Sequence, residues 1–291
     1  MTPTLVRQHQ HLAPPAAHGH RDAYARARDW AEIQERMLVP LYEAVYARLE
    51  IGTGDRLLGL GCGSGLALLM AAARGASVTG TDTDGRRLAL AEERLRPGTA
   101  PHGSPADGPR VVGGGPAAVA AEGGPRFTAV TAFDPQSGAD GELVPMLTAA
   151  AALAERGSPV VIAGWGPPER CATASVLRTA TRQAARPPDL GPGYGSAPGG
   201  WRPYGRDALE EAAHRAGLRP DGSGRLSCPF GYADPESAVR GLLSTRLFDA
   251  AAEAADEAQV EKELAEALHP YVRRDGTVWM PNVFRYLIAR V

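Results

Sequence analysis

A short apolar run that breaks into alternating glycines constrains this chain more than any other feature. Arg56-Leu57-Leu58-Gly59-Leu60 leads into Gly61-Cys62-Gly63-Ser64-Gly65 and then into the helical stretch Leu66 to Arg74, with Gly75 as its stop. Strand, glycine turn and helix in that order form one unit of a parallel α/β sheet. Glycine lets a backbone approach a neighbour closely and take positive φ. At the carboxyl end of such a strand, the turn opens on the crevice where doubly wound sheets hold ligands.

The pattern continues on both sides. Arg21 to Glu50 carries Tyr24, Trp30, Ile33, Met37, Leu38, Leu41, Val45 and Leu49 at three- and four-residue steps, which predicts a helical cap broken into two at Pro40. After the glycine turn, Ser77 to Thr81 reads as a second strand closed by Asp82, and Asp84 as the cap of the next helix. Residues 97–126 are rich in glycine and proline, with only a third strand near Arg110 to Val112. Phe127 to Ala132 and Pro159 to Trp165 read as further strands around the helix Leu143 to Arg156. The second half predicts helices at Pro168 to Ala185, Arg206 to Ala216, Pro235 to Ala250 and Val260 to Leu268. It adds a strand at Arg225 to Cys228 and a last strand at Val283 to Val291. Strand and helix alternation of this kind predicts a doubly wound, mostly parallel sheet. The expected division is a disordered leader at 1–20, the cap at 21–50, the nucleotide-binding core at 51–165, and the remainder of the sheet with substrate-cap insertions at 166–291.

Asp82 stands about twenty residues after the glycine turn, where a carboxylate can accept hydrogen bonds from both ribose hydroxyls of a nucleotide. Two nucleotide classes are disfavoured by spacing. Dinucleotide sites use Gly-x-Gly-x-x-Gly or Ala, and here that third position is Leu66. A phosphate loop requires Gly-Lys-Ser/Thr, and the sole lysine is Lys262.

Leu57 to Gly65 resembles the first motif of the class I S-adenosylmethionine-dependent methyltransferases, and Val78-Thr79-Gly80-Thr81-Asp82 resembles the second. The likeness extends more loosely to Ala129 to Phe133 and Val160 to Trp165. It implies a Rossmann-like sheet of seven strands with the last antiparallel. It also implies S-adenosylmethionine as cofactor, with Gly61, Cys62, Gly63 and Gly65 near the methionine end, Asp82 on the ribose, Thr83 near the adenine and Phe133 at the mouth. The chain departs from the family at Gly59, where an acidic residue usually holds the cofactor's amino group. It departs again after Val112, where Gly113 and Gly114 replace an acid near the adenine. A hydrogen bond to a charged group contributes about 1.5–3 kcal/mol, so these losses imply weaker cofactor binding.

Methyl transfer from a sulfonium relies on alignment, and a base is needed only where the nucleophile must lose a proton. Asp134 is the candidate base, although Asp134-Pro135 also starts turns. His214 and His269 read as a surface residue and a helix end. Tyr24, Trp30, Tyr194, Trp201, Tyr204, Phe230 and Tyr232 are candidates for an aromatic substrate pocket. Tyr24 and Trp30 stand six apart and do not share a helical face, so one of them is expected to face the ligand.

Composition bounds the partners. Of 291 residues, 44% are hydrophobic, and the net charge is -2, which gives no basic surface for nucleic acid. Cys62, Cys171 and Cys228 are scattered and odd in number, so neither a disulfide framework nor a metal site is expected. Neither an N-terminal apolar segment nor a membrane-length run is present. A cytoplasmic methyltransferase acting on a small, partly apolar metabolite, monomeric or homodimeric, is the expectation. A cyclase-like reaction on the same fold, or a non-enzymatic sensor or partner subunit, is the rival.

Overall fold

The computed structural model describes residues 23–96, 108–133, 143–180, 207–254 and 256–291. Its centre is β1 (Arg56–Leu60), which pairs in parallel with β2 (Ser77–Asp82) on one side and β4 (Ala129–Ala132) on the other. Beyond β2 lies β3 (Arg110–Gly113), and beyond β4 lies β5 (Pro159–Trp165). The last long strand, β9 (Val283–Arg290), runs antiparallel between β5 and β6 (Arg219–Ser227). Among the described residues this gives a seven-stranded sheet in the order β3-β2-β1-β4-β5-β9-β6. A two-stranded sheet joins β7 (Phe230–Tyr232) to β8 (Val278–Met280). Neither of those two strands was expected.

Neighbouring residues of a strand point to opposite faces, and the central strands are apolar on both. Leu57 packs with Val161, Trp165 and Phe284 on one face, and Leu58 with Val130, Ile162 and Leu287 on the other. The first face is covered by α2 (Val39–Arg48), α3 (Leu66–Ala72), α4 (Gly85–Leu95), α7 (Ala172–Ala180), α9 (Pro235–Leu243), α10 (Asp249–Ala254) and α11 (Glu257–Leu268). The second is covered by α5 (Pro116–Glu122), α6 (Leu143–Ala151) and α8 (Ala208–Arg215). No helix among the described residues is long and apolar enough to cross a membrane.

Three expectations about the helices need correction. The helix expected over Pro235 to Ala250 ends at Leu243, and a separate helix, α10, begins at Asp249. The stretch 97–126 was expected to hold only a strand and loop, but Pro116-Ala117-Ala118-Val119 winds into α5, with proline at a position where its missing N–H costs nothing. The helix expected from Pro168 begins as a single tight turn, and α7 starts only at Ala172. Pro40 acts as expected and sits in the first turn of α2. The cap upstream is irregular. After α1 (Ala23–Asp29) comes a wide π turn at Trp30–Gln34, then a 3-10 turn at Glu35–Leu38. Turns of this kind recur at hinges and functional sites, and here they lie over the glycine loop.

Candidate functional site: a glycine crevice closed by the cap

The order of the sheet reverses between β1 and β4, and the loop after β1 opens there. Gly61, Gly63 and Gly65 all have positive φ, at 59°, 57° and 82°. Gly61 and Gly63 line the crevice together with Cys62. Gly65 does not. A Cβ on it would lie 3.0 Å from Ala91 Cβ of α4, so its small size serves the packing of α3 on α4. The Cys62 thiol is buried, and burial holds its pKa well above the ordinary range, so it is no nucleophile.

Asp82 ends β2 as expected, and the backbone has already engaged it. One carboxylate oxygen accepts the Gly63 N–H at 2.9 Å and the other the Asp84 N–H at 2.8 Å. Each oxygen can still accept a second bond, since a carboxylate offers about four acceptor sites. The next residue, Thr83, is exposed. Phe133, which follows β4, is buried against Tyr42 and Tyr46, with ring centroids 4.9 and 5.8 Å away. Asp134, Tyr194, Trp201 and Tyr204 lie outside the described residues.

Of the two cap aromatics, Tyr24 is 45% exposed, with Arg28 over its ring. Trp30 faces the glycine loop. Its indole stands where a side chain on Gly63 would go, 2.8 Å from the position of that Cβ, with the Glu35 carboxylate at 3.1 Å from the same point. Arg87 of α4 stacks 4.3 Å from the Trp30 ring. The indole N–H is buried with no hydrogen-bond partner, an arrangement that costs about 1–3 kcal/mol.

Glu35 was not anticipated from sequence. It accepts hydrogen bonds from the Ser64 hydroxyl, from Arg94 at 2.6 Å and from the Leu66 N–H at 3.4 Å. Burial pushes its carboxyl above the usual range, against the pull of Arg94, Ser64 and Leu66. Arg94 ties the cluster further by donating to the Ser64 carbonyl at 2.8 Å and the Ala31 carbonyl at 3.3 Å. The only sequence signal lay in spacing: Glu35, Leu38 and Tyr42 share one helical face, and all three line the crevice.

The consequence is volumetric. The crevice bounded by Trp30, Glu35, Leu38, Tyr42, Gly59 to Gly63, Leu68, Arg87 and Phe133 leaves a cavity of about 20 Å³. Small-molecule pockets run to about 300–1,000 Å³, so S-adenosylmethionine does not fit the crevice as it is closed here. A larger, open cavity of about 720 Å³ lies past the end of β5, lined by Trp165, the turn Gly166 to Arg170, Arg225 to Ser227, Val283 and Arg285.

The departure at Gly59 has a packing cause. A Cβ there would stand 2.8 Å from Leu68 Cδ2, and one on the neighbouring Gly80 would stand 2.3 Å from Leu68 Cδ1. Leu68 thus occupies the side-chain space of both glycines. Replacing Gly59 by aspartate is therefore expected to destabilise the fold by about 1–3 kcal/mol through overpacking. Leu68→Ala alone is expected to cost about 2–5 kcal/mol, but in its background Gly59→Asp should cost less than in the wild type, because the clashing leucine is gone; urea unfolding of both single variants and the double variant measures this coupling.

Comparison with known proteins gives a likeness of structure. No protein-family model matches the chain, and no curated protein does either. Among solved structures, the [4+2]-cyclase SpnF aligns with TM-score 0.53 at 18% identity, covering 86% of this chain and 80% of its own. YjhP from E. coli aligns with TM-score 0.50 at 19% identity, covering 92% and 99%. A provisionally assigned methyltransferase from Bacillus halodurans aligns with TM-score 0.50 at 14% identity, covering 85% and 97%. At such identities the likeness is one of fold alone: the same Rossmann-like seven-stranded sheet, shared by a provisionally assigned methyltransferase and a cyclase.

Proposed function

We propose that this chain binds S-adenosylmethionine at the carboxyl end of β1 and methylates a small, partly apolar molecule. The observation that carries this reading is the convergence of Gly61, Gly63 and Asp82 at the point where the strand order reverses. The open cavity beyond β5 supports it by offering room for an acceptor one strand over from Phe133. The reading requires the Trp30 to Leu38 segment to leave the crevice, because 20 Å³ admits no cofactor.

The same closure favours a second reading, in which the fold serves a reaction other than methyl transfer. SpnF, a [4+2]-cyclase, has this fold. The two readings separate on one measurement. The protein is incubated with S-adenosylmethionine and a panel of phenols, alcohols and amines, and S-adenosylhomocysteine is followed by mass spectrometry. Acceptor-dependent release is the expected result. Conversion of a panel member without any release would establish the second reading instead.

A further inference from the structure

We propose that residues 30–38 are a latch: the Trp30 indole and the Glu35 carboxylate hold the glycine crevice shut, and a ligand enters only when this segment swings off Ser64 and Arg94. The inference rests on the cofactor reading for the identity of the ligand, but not for the latch itself. Three independent observations carry it. The first is occupancy, since Trp30 and Glu35 together fill the space over Gly63. The second is the donor set around Glu35. A hydroxyl from Ser64 and a guanidinium from Arg94 hold its carboxylate, and these groups would equally hold the carboxylate of an amino-acid end on an entering ligand. Glu35 is thus an internal competitor for that chemistry. The third is the Trp30 N–H, which is 95% buried with its residue and points at the crevice with no acceptor.

The winding of the segment suits local movement. It is pinned to α9 just before it begins and to β7 at Gln34, within it. On one side Arg240 donates to Asp29 at 3.0 Å and Arg26 donates to the Leu243 carbonyl at 2.9 Å. On the other, Tyr232 of β7 donates to Gln34 at 2.9 Å. Between and beyond these pins the chain is wound too loosely at 30–34 and too tightly at 35–38. Rewinding those turns moves Trp30 and Glu35 without undocking α1 or α2.

Two measurements test the latch. Hydrogen exchange on the ligand-free protein is expected to show the amides of 30–38 exchanging at least tenfold faster than those of α2 and β1. Protection equal to β1 makes the segment a fixed plug and overturns the proposal. Calorimetric titration with S-adenosylhomocysteine is then run on the wild type, Trp30→Ala and Glu35→Gln. At least tenfold tighter binding by Trp30→Ala, with a smaller gain for Glu35→Gln, supports latch and cofactor together. Equal binding by all three overturns the latch and leaves the cofactor reading standing. Fast exchange of 30–38 with no binding by any form at millimolar ligand keeps the latch and removes the cofactor. Glu35→Gln preserves shape, so it keeps the comparison usable where Trp30→Ala folds poorly.

Discussion

Substituting Gly65 by valine is expected to cost the fold about 2–5 kcal/mol, which leaves little of an ordinary domain's stability. Two terms add. The residue sits at φ 82° as the cap of α3, a left-handed conformation that costs an L-residue about 1–2 kcal/mol and a β-branched one more. The new Cβ would also stand 3.2 Å from Ala91 Cα, which is backbone and cannot rotate away. Helix α4 must therefore shift off α3, an overpacking cost of about 1–3 kcal/mol. Gly157 isolates the first term, because it has the same φ of 82° with nothing within 4 Å of its would-be Cβ. Gly157→Val should lose only the backbone part. Urea unfolding of both variants measures the difference, and equal losses would show that α3 and α4 are not in fact held together through Gly65.

That pair of glycines shows what a sequence can and cannot convey. The run of three glycines after β1 is legible because a strand, a turn and a helix each leave local marks, and so the crevice could be located from sequence. The role of each glycine could not. Gly65 reads as part of a ligand loop, yet its partner is Ala91, twenty-six residues away on a different helix. The strands β1, β2, β5 and β9 are legible as apolar runs bounded by turns. Strand β6 is only half legible, because Pro220, Asp221, Gly222 and Gly224 disguise its first half, which a sheet edge tolerates. The β7–β8 pair is invisible, since three residues each, almost fifty apart, carry no periodicity. The closure of the crevice belongs with these. Glu35 and Ser64 lie twenty-nine positions apart, and only the docking of the whole cap brings the carboxylate onto the loop. The same holds for Gly59. From sequence it is a missing acid, but in the fold it is one of two glycines that share a single leucine, so the loss and the packing are one event.

The largest electrostatic effect is expected at Arg94. Replacing it with methionine keeps the aliphatic stem but removes the guanidinium that faces Glu35 at 2.6 Å. The Glu35 side chain is only 2% exposed, so it cannot recover water in place of the lost partner. Breaking one side of a buried ion pair costs about 3–5 kcal/mol. The Ser64 hydroxyl and the Leu66 N–H remain and hold the figure towards the lower end. The pH dependence follows from the direction of the shift. Burial already raises the Glu35 carboxyl, and without Arg94 nothing cationic opposes that rise. An acid whose pKa is higher folded than unfolded holds a proton in the folded state that the unfolded chain releases, so stability falls as pH rises through that window. The deficit of Arg94→Met against wild type should therefore be greatest at neutral pH and shrink on acidification, as Glu35 takes up its proton and needs no counter-charge. Urea unfolding of both proteins between pH 7 and pH 5 measures this. A deficit that stays constant with pH would mean that Arg94 acts through its bonds to the Ser64 and Ala31 carbonyls and not through the Glu35 charge.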